Sequence, residues 1–278
     1  MAESGTGVDR RGARAFVLLL VLVAAVTGGA VLLAHRHSDP KPPAAQTLPP
    51  PLLPEAPTVT QPAAPPPASV PNPGFDVSHP QCGRTLPTGG GFGIVGVTGG
   101  RPLGSNPCFA EQHTWAAAKA GQAVYVNTGY PGAGDPVTYG RSVVDDAVAR
   151  EHAAGVSGTT MWWLDVETVN TWAGTQQQNA TVLDAMAARL QELGARVGIY
   201  STPDMWDEIA GSWNPGLPVW YATGHGNART AALACQDGFA GSPTAIAQWV
   251  QRYQGAELDH NLVCPRYRTR AAEILDVG

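Results

Sequence analysis

Three segments of this chain share one feature: an aspartate followed two residues later by a second polar group. They read Asp76-Val77-Ser78, Asp165-Val166-Glu167 and Asp259-His260-Asn261. In an extended strand, residues i and i+2 point to the same face, so each segment sets two polar groups side by side. Asp-x-Ser and Asp-x-Asn often do no more than close a turn. The middle pair carries more weight, because it ends the run Met161-Trp162-Trp163-Leu164, whose composition is that of a strand buried on both faces. An isolated buried charge is very unfavourable, so two carboxylates there need a cleft or partners.

Carboxyl groups from several strands, gathered at one mouth, suit the cleavage of a glycosidic bond. One acid protonates the leaving oxygen, and a negative partner stabilises the oxocarbenium-like transition state. Glu167, Asp165, Asp76 and Asp259 are the candidate catalytic residues. The charge of Asp165 is expected to disfavour ionisation of Glu167 and so keep it a proton donor near neutral pH. Ser78, Asn127, Trp172, Tyr200, Tyr221, Gln248 and Asn261 are candidate substrate contacts. Flat rings pack against the apolar face of a sugar, which also brings in Trp163, Trp220 and Trp249. Trp220 and Trp249 lie in apolar strands and read better as core. Trp172, in a loop just past the acid pair, reads better as groove. His79, His225 and His260 stand singly, without metal-ligand spacing.

The acids must be positioned by strands. Near-continuous apolar runs predict eight, at Phe75–Ser78, Gly93–Thr98, Ala123–Asn127, Met161–Glu167, Val197–Tyr200, Pro218–Ala222, Ala245–Val250 and Leu258–Asn261. Helices are expected from Asn106-Pro107 to about Ala120, from about Tyr139 to Ala154, and from Gln176 to Leu193. In the third, Val182, Met186 and Leu190 share one stripe. Later connections hold only short helical pieces. The order suggests an α/β fold, an irregular β/α barrel with some helices missing, whose strand carboxyl ends converge on one site. A doubly wound open sheet is the alternative. The run Gly91-Phe92-Gly93-Ile94-Val95-Gly96 matches a dinucleotide fingerprint in letters only, since its glycines enter a strand and do not open a helix.

Upstream of Gly74 the composition changes. Arg10, Arg11 and Arg14 precede an uncharged stretch from Ala15 to Ala34. That length suits a membrane-spanning helix with its N-terminal side in the cytoplasm. The expected organisation is a cytoplasmic tail at 1–14, a single-pass anchor at 15–34, a proline-rich linker at 38–73 and a folded domain at 74–278, outside the cell. A cleaved signal peptide and secretion is the alternative, although the apolar run is long and no Ala-x-Ala site directly follows it. Runs such as Pro49-Pro50-Pro51 and Pro65-Pro66-Pro67 favour extended polyproline II, so the 36-residue linker reaches on the order of 100 Å. Four cysteines, Cys82, Cys108, Cys235 and Cys264, all follow the apolar segment. Exported context favours disulfides, and four cysteines allow three pairings. Cys82–Cys108 with Cys235–Cys264 closes two local loops and is preferred. A net charge of −5 and 14% charged residues argue against a nucleic-acid surface and favour an uncharged polymer as partner.

Four segments carry a family likeness: Gly74-Phe75-Asp76-Val77-Ser78-His79, Leu164-Asp165-Val166-Glu167, Gly198-Ile199-Tyr200-Ser201 and Leu258-Asp259-His260-Asn261. In order and spacing they resemble glycoside hydrolase family 25, the lysozymes similar to fungal and phage N-acetylmuramidases, from Gly74 to Cys264. The resemblance implies an irregular β/α barrel that cleaves the β-1,4 bond after N-acetylmuramic acid in peptidoglycan. It makes Glu167 the proton donor, Asp165 its partner, and Asp76 and Asp259 the flanking carboxylates, with no metal or organic cofactor. The chain departs from the family at Val95-Gly96-Val97-Thr98-Gly99-Gly100, where a lysine and Thr-Glu-Gly are usual. It also departs at Tyr125-Val126-Asn127-Thr128, in place of Tyr-His-Phe, and at Pro80-Gln81-Cys82, in place of Trp-Gln. These changes keep the carboxylates and alter the groove. They favour a second expectation, a non-catalytic wall-binding module, whereas the four acids favour the enzyme. A scaffold for other wall proteins is a third.

Overall fold

The computed structural model describes residues 70, 72–253 and 255–277. The expected tail and anchor, and the linker up to residue 69, lie outside them. Among the described residues no helix is long and apolar enough to cross a membrane.

All eight predicted strands form: β1 (Gly74–Val77), β2 (Phe92–Gly96), β3 (Gly121–Asn127), β4 (Met161–Asp165), β5 (Arg196–Ser201), β6 (Val219–His225), β8 (Ser242–Tyr253) and β9 (Ala256–Val263). Two short strands, β7 (Gly238–Phe239) and β10 (Asp276–Val277), add to the edges of β8 and β3. The ring runs β3-β2-β1-β9-β8-β6-β5-β4 and closes by pairing β4 with β3. The sheet is therefore a closed barrel, and the doubly wound alternative is excluded. One strand breaks the parallel rule. The chain reverses after β8, and β9 runs antiparallel to both β8 and β1.

Period-two alternation explains why the runs are apolar on both faces. In β4, Met161 and Trp163 point into the barrel, while Trp162 and Leu164 pack beneath the helices. In β3, Ala123 and Tyr125 face in, and Val124 and Val126 face out. Gly198, the β5 partner of Trp163, makes room for that indole, since a Cβ there would lie 2.3 Å from the ring. Val70, Tyr267, Ala271, Ile274 and Leu275 plug the end opposite the acids. Asn72 donates to the Val263 carbonyl and accepts from the Val263 amide. Val70 and Asn72, assigned by composition to the linker, therefore belong to the folded unit.

Helices α1 (Phe109–Ala117), α2 (Pro136–Ala153) and α3 (Gln176–Glu192) cover one side, and the seven-residue α4 (Pro203–Ile209) and α5 (Ala228–Ala234) are the expected short pieces. The α1 helix is shorter than predicted. Asn106 is drawn inward, where its amide donates to the Gly96 carbonyl and to Gln112 Oε1. Asp135 caps α2 by accepting from the Thr138 amide, and Thr175 with Gln178 forms a capping box on α3. Val182, Met186 and Leu190 are buried as the stripe predicts. Both local disulfides are present. Cys82–Cys108 ties the turn after β1 to the start of α1, and Cys235–Cys264 ties the end of α5 to the end of β9.

Candidate active site

The four acids meet at one mouth of the barrel. Asp76, Asp165, Glu167 and Asp259 line two adjoining depressions of about 370 Å³ and 220 Å³, and all four are shared by both. The acids thus sit where the two halves of a trough join. One half is walled by Tyr200, Met205, Trp220, Gln248 and Val250, the other by Ser78, His79, Gln81, Asn127 and Val169. No lysine or arginine is among these lining residues.

Two placements differ from expectation. Strand β4 ends at Asp165, so Glu167 stands on the first residues of the following loop. Asp259 comes from the antiparallel β9 and so reaches the mouth from the amino-terminal half of its strand, not from a carboxyl end. The loop at Glu167 is nonetheless firmly held. The Val166 amide donates to the Tyr200 carbonyl, Ser201 Oγ donates to the Val166 carbonyl, and Trp172 Nε1 donates to the Glu167 carbonyl at 2.9 Å.

Asp76 has a polar cradle. Its Oδ2 accepts from Asn261 Nδ2 at 2.6 Å and from Gln248 Nε2 at 3.0 Å. Trp220 Nε1 donates to Asn261 Oδ1, and the Tyr200 hydroxyl donates to Gln248 Oε1, each fixing an amide's orientation. Even so, burial, opposed by those bonds and aided by the charge of Glu167, raises the Asp76 carboxyl to about 6. Burial, with the charges of Asp76 and Glu167, raises Asp259 to about 8.

Asp165 and Glu167 are both held above the ordinary carboxyl range, first by burial. The division of effect corrects the sequence expectation. The charge and contact of Glu167 push Asp165 up further, whereas the contact with Asp165 acts downward on Glu167. Carboxyls that act on each other in this way titrate as a pair. Among the described residues no group of three or more His, Cys, Asp or Glu could hold a metal ion.

Several expected contacts have other roles. Asn261 is fully buried and serves Asp76. Trp172 lines a separate shallow depression with Gln176 and Glu208, because its indole is turned to the Glu167 backbone. Tyr221 points outward, against Phe239 and α5. Trp249 stacks on His260 outside the barrel, and Trp163 fills the barrel centre. Trp220 is core as expected and also walls the cavity. Tyr125 was missed. It lines both depressions beside all four acids, and burial with the charges of Asp165 and Asp76 keeps its hydroxyl protonated. Gly96 leaves room for it, since a Cβ there would lie 2.6 Å from the ring. The signal was its inward place in β3, two residues before Asn127.

A family model described as "Lysozyme-like protein 1" matches residues 108–237. "Probable GH family 25 lysozyme 4" of Dictyostelium discoideum is 35% identical over 68 residues, covering 24% of this chain and 32% of the relative. The chain thus spans about a third of the length of that curated relative. In fold, the barrel is similar to the spore cortex lytic enzyme SleM of Clostridium perfringens, at 17% identity and TM-score 0.51, covering 71% of this chain and 68% of that one. It is also similar to the modular Cpl-1 endolysin, solved with a peptidoglycan analogue, at 16% identity and TM-score 0.50, covering 70% and 54%. The family 25 resemblance read from four short motifs is therefore matched in sequence over a segment, and the solved structures show a likeness of fold over the barrel.

Proposed function

We propose that the chain is a glycoside hydrolase that cleaves β-1,4 bonds in the glycan of cell-wall peptidoglycan, with Glu167 as proton donor. The observation that carries this is the convergence of four carboxyls, all with raised proton affinity, at the junction of a two-sided trough. A glycan strand crossing the trough would place one glycosidic oxygen over the junction. Glu167 protonates that oxygen as the bond breaks and is left as a carboxylate; water then adds to the oxocarbenium-like sugar carbon, and the proton it releases restores Glu167. Asp76, held by Asn261 and Gln248, presents a fixed negative edge to the positive sugar ring. Tyr200 and Trp220 wall one half with rings, and Ser78, Gln81 and Asn127 supply polar groups to the other. A site rich in acids and free of cations repels polyanions, which suits a glycan better than a nucleic acid. The named relatives are lysozymes or lytic enzymes, which supports the same class of bond for this chain.

The uncharged run from Ala15 to Ala34 supports a single-pass anchor, with the barrel held outside the cell on the proline-rich linker. The altered second and third strands support a second reading, a barrel that binds wall glycan without turnover. Incubating the full chain with purified walls separates the two. The hydrolase releases reducing ends, and the binding module sediments with walls and releases none.

A further inference from the structure

We infer that Thr98, through Asn127, orients the Asp165 carboxyl so that the proton shared with Glu167 lies on the side facing Glu167. This rests on the hydrolase reading for its consequence and on geometry alone for its existence. Thr98 and Asn127 stand just past β2 and at the end of β3, and both are buried. The Thr98 hydroxyl oxygen accepts from the Asn127 backbone amide at 2.9 Å and donates to Asn127 Oδ1 at 2.8 Å. A hydroxyl has one proton, and here it is committed to Oδ1. The other end of the amide must then be the donor, and Asn127 Nδ2 donates to Asp165 Oδ2.

The consequence falls on the two oxygens of Asp165. Oδ2 is engaged as an acceptor, and protonating it would weaken that bond. Oδ1 is buried and has no hydrogen-bond partner among the described residues. It is therefore the oxygen left to share a proton with Glu167. The backbone that carries the carboxyl is held as well: both the Thr128 amide and its hydroxyl donate to the Asp165 carbonyl. The other titratable groups facing the pair are Asp76 from β1, Tyr125 from β3, Tyr200 from β5 and Asp259 from β9, with His79 in the adjoining half of the trough. Among the described residues that line the two depressions there is no lysine or arginine. Thr98 and Asn127 are positioning residues: neither needs to touch the reacting atoms, yet together they decide where the proton waits.

Losing the relay has a defined sign. Without the Thr98 donor, the Asn127 amide is free to turn its oxygen toward Asp165. The anion loses a donor, so the pair holds its protons to higher pH.

The test uses the full chain with Thr98→Val, which keeps shape, and Thr98→Ser, which keeps the hydroxyl. Two readouts are taken: wall digestion across pH, and titration of the Asp165 and Glu167 carboxyls by carbon-13 NMR. Thr98→Val should move both limbs of the pH profile, and the carboxyl midpoints, upward by about one unit. Thr98→Ser should restore the wild-type profile. If Thr98→Val does not fold, Asn127→Ala removes the same donor and should give the same upward shift. A rate that falls equally at every pH, with limbs and midpoints unmoved, overturns the proposal. If wild type releases no reducing ends, the hydrolase reading fails by itself, and the carboxyl midpoints still decide the relay.

Discussion

Asp76 and Asp259 are direct partners across the antiparallel β1–β9 ladder, so two carboxyls face each other inside a cavity that, among the described residues, no lysine or arginine lines. Like charges directly opposite destabilise a sheet, and burial adds to the effect. The outcome is raised proton affinity, to about 6 for Asp76 and about 8 for Asp259. An acid with a higher pKa folded than unfolded contributes stability that is complete below the unfolded range, near ~4, and lost as pH rises through the folded value. The melting temperature should therefore fall from about pH 5 to about pH 8. Asp259→Asn should flatten the upper part of that fall. A melting temperature that is level across this window would contradict the assigned proton affinities.

Asn261 links Trp220 to Asp76. Asn261→Leu leaves a buried indole N–H without an acceptor and removes the shorter of two donors to Asp76. It should destabilise by about 1–3 kcal/mol in urea unfolding, and it should raise the Asp76 carboxyl further, moving the acidic limb of wall digestion upward. An unchanged unfolding midpoint would show that this bond does not hold the cradle.

Much of this was legible in the sequence, because a barrel strand covered on both faces reads as a continuous apolar run, and all eight were found. The acids were legible for the complementary reason: Asp165 and Glu167 have no place in such a run unless a cleft lies beside them. What was not legible depended on pairing partners. The reversal of β9 is seen in the antiparallel pairing of β8 with β9, which ends at Tyr253 opposite Ala256 and which apolar periodicity does not record. The inward role of Tyr125 required knowing which face of β3 is the barrel interior. Trp172 was misplaced because its loop position gave no sign that its indole N–H would be taken by the Glu167 carbonyl. The use of Asn261 and Asn127 as holders of carboxylates depends on contacts between strands far apart in the chain.

The Cys235–Cys264 bridge closes a separation of 29 residues and packs Cys264 into the cluster between α5 and the barrel. Replacing both cysteines with alanine should cost about 3 kcal/mol in unfolding free energy. Because the bridge lies on the outer face, the pH limbs of activity should stay in place. A shift of those limbs would show that the bridge shapes the acid cavity.

The proposed anchor has its own test. The full chain, expressed in cells, should sediment with membranes and retain an N-terminal tag. Mature soluble protein beginning between residues 38 and 73 would contradict it.

The central claim is that Glu167 donates the proton, and Glu167→Gln tests it most directly. Glutamine keeps the volume and much of the hydrogen bonding, so the fold and wall binding should survive, as melting curves and co-sedimentation would show. Removal of a general acid costs about 10²–10⁴ in rate, so reducing-end release from purified walls should fall by that range. Asp165→Asn, assayed beside it, should also slow release and should move the basic limb of the profile to higher pH, because the carboxylate contact that acts downward on Glu167 is gone. A folded Glu167→Gln protein that releases reducing ends at the wild-type rate would contradict the account.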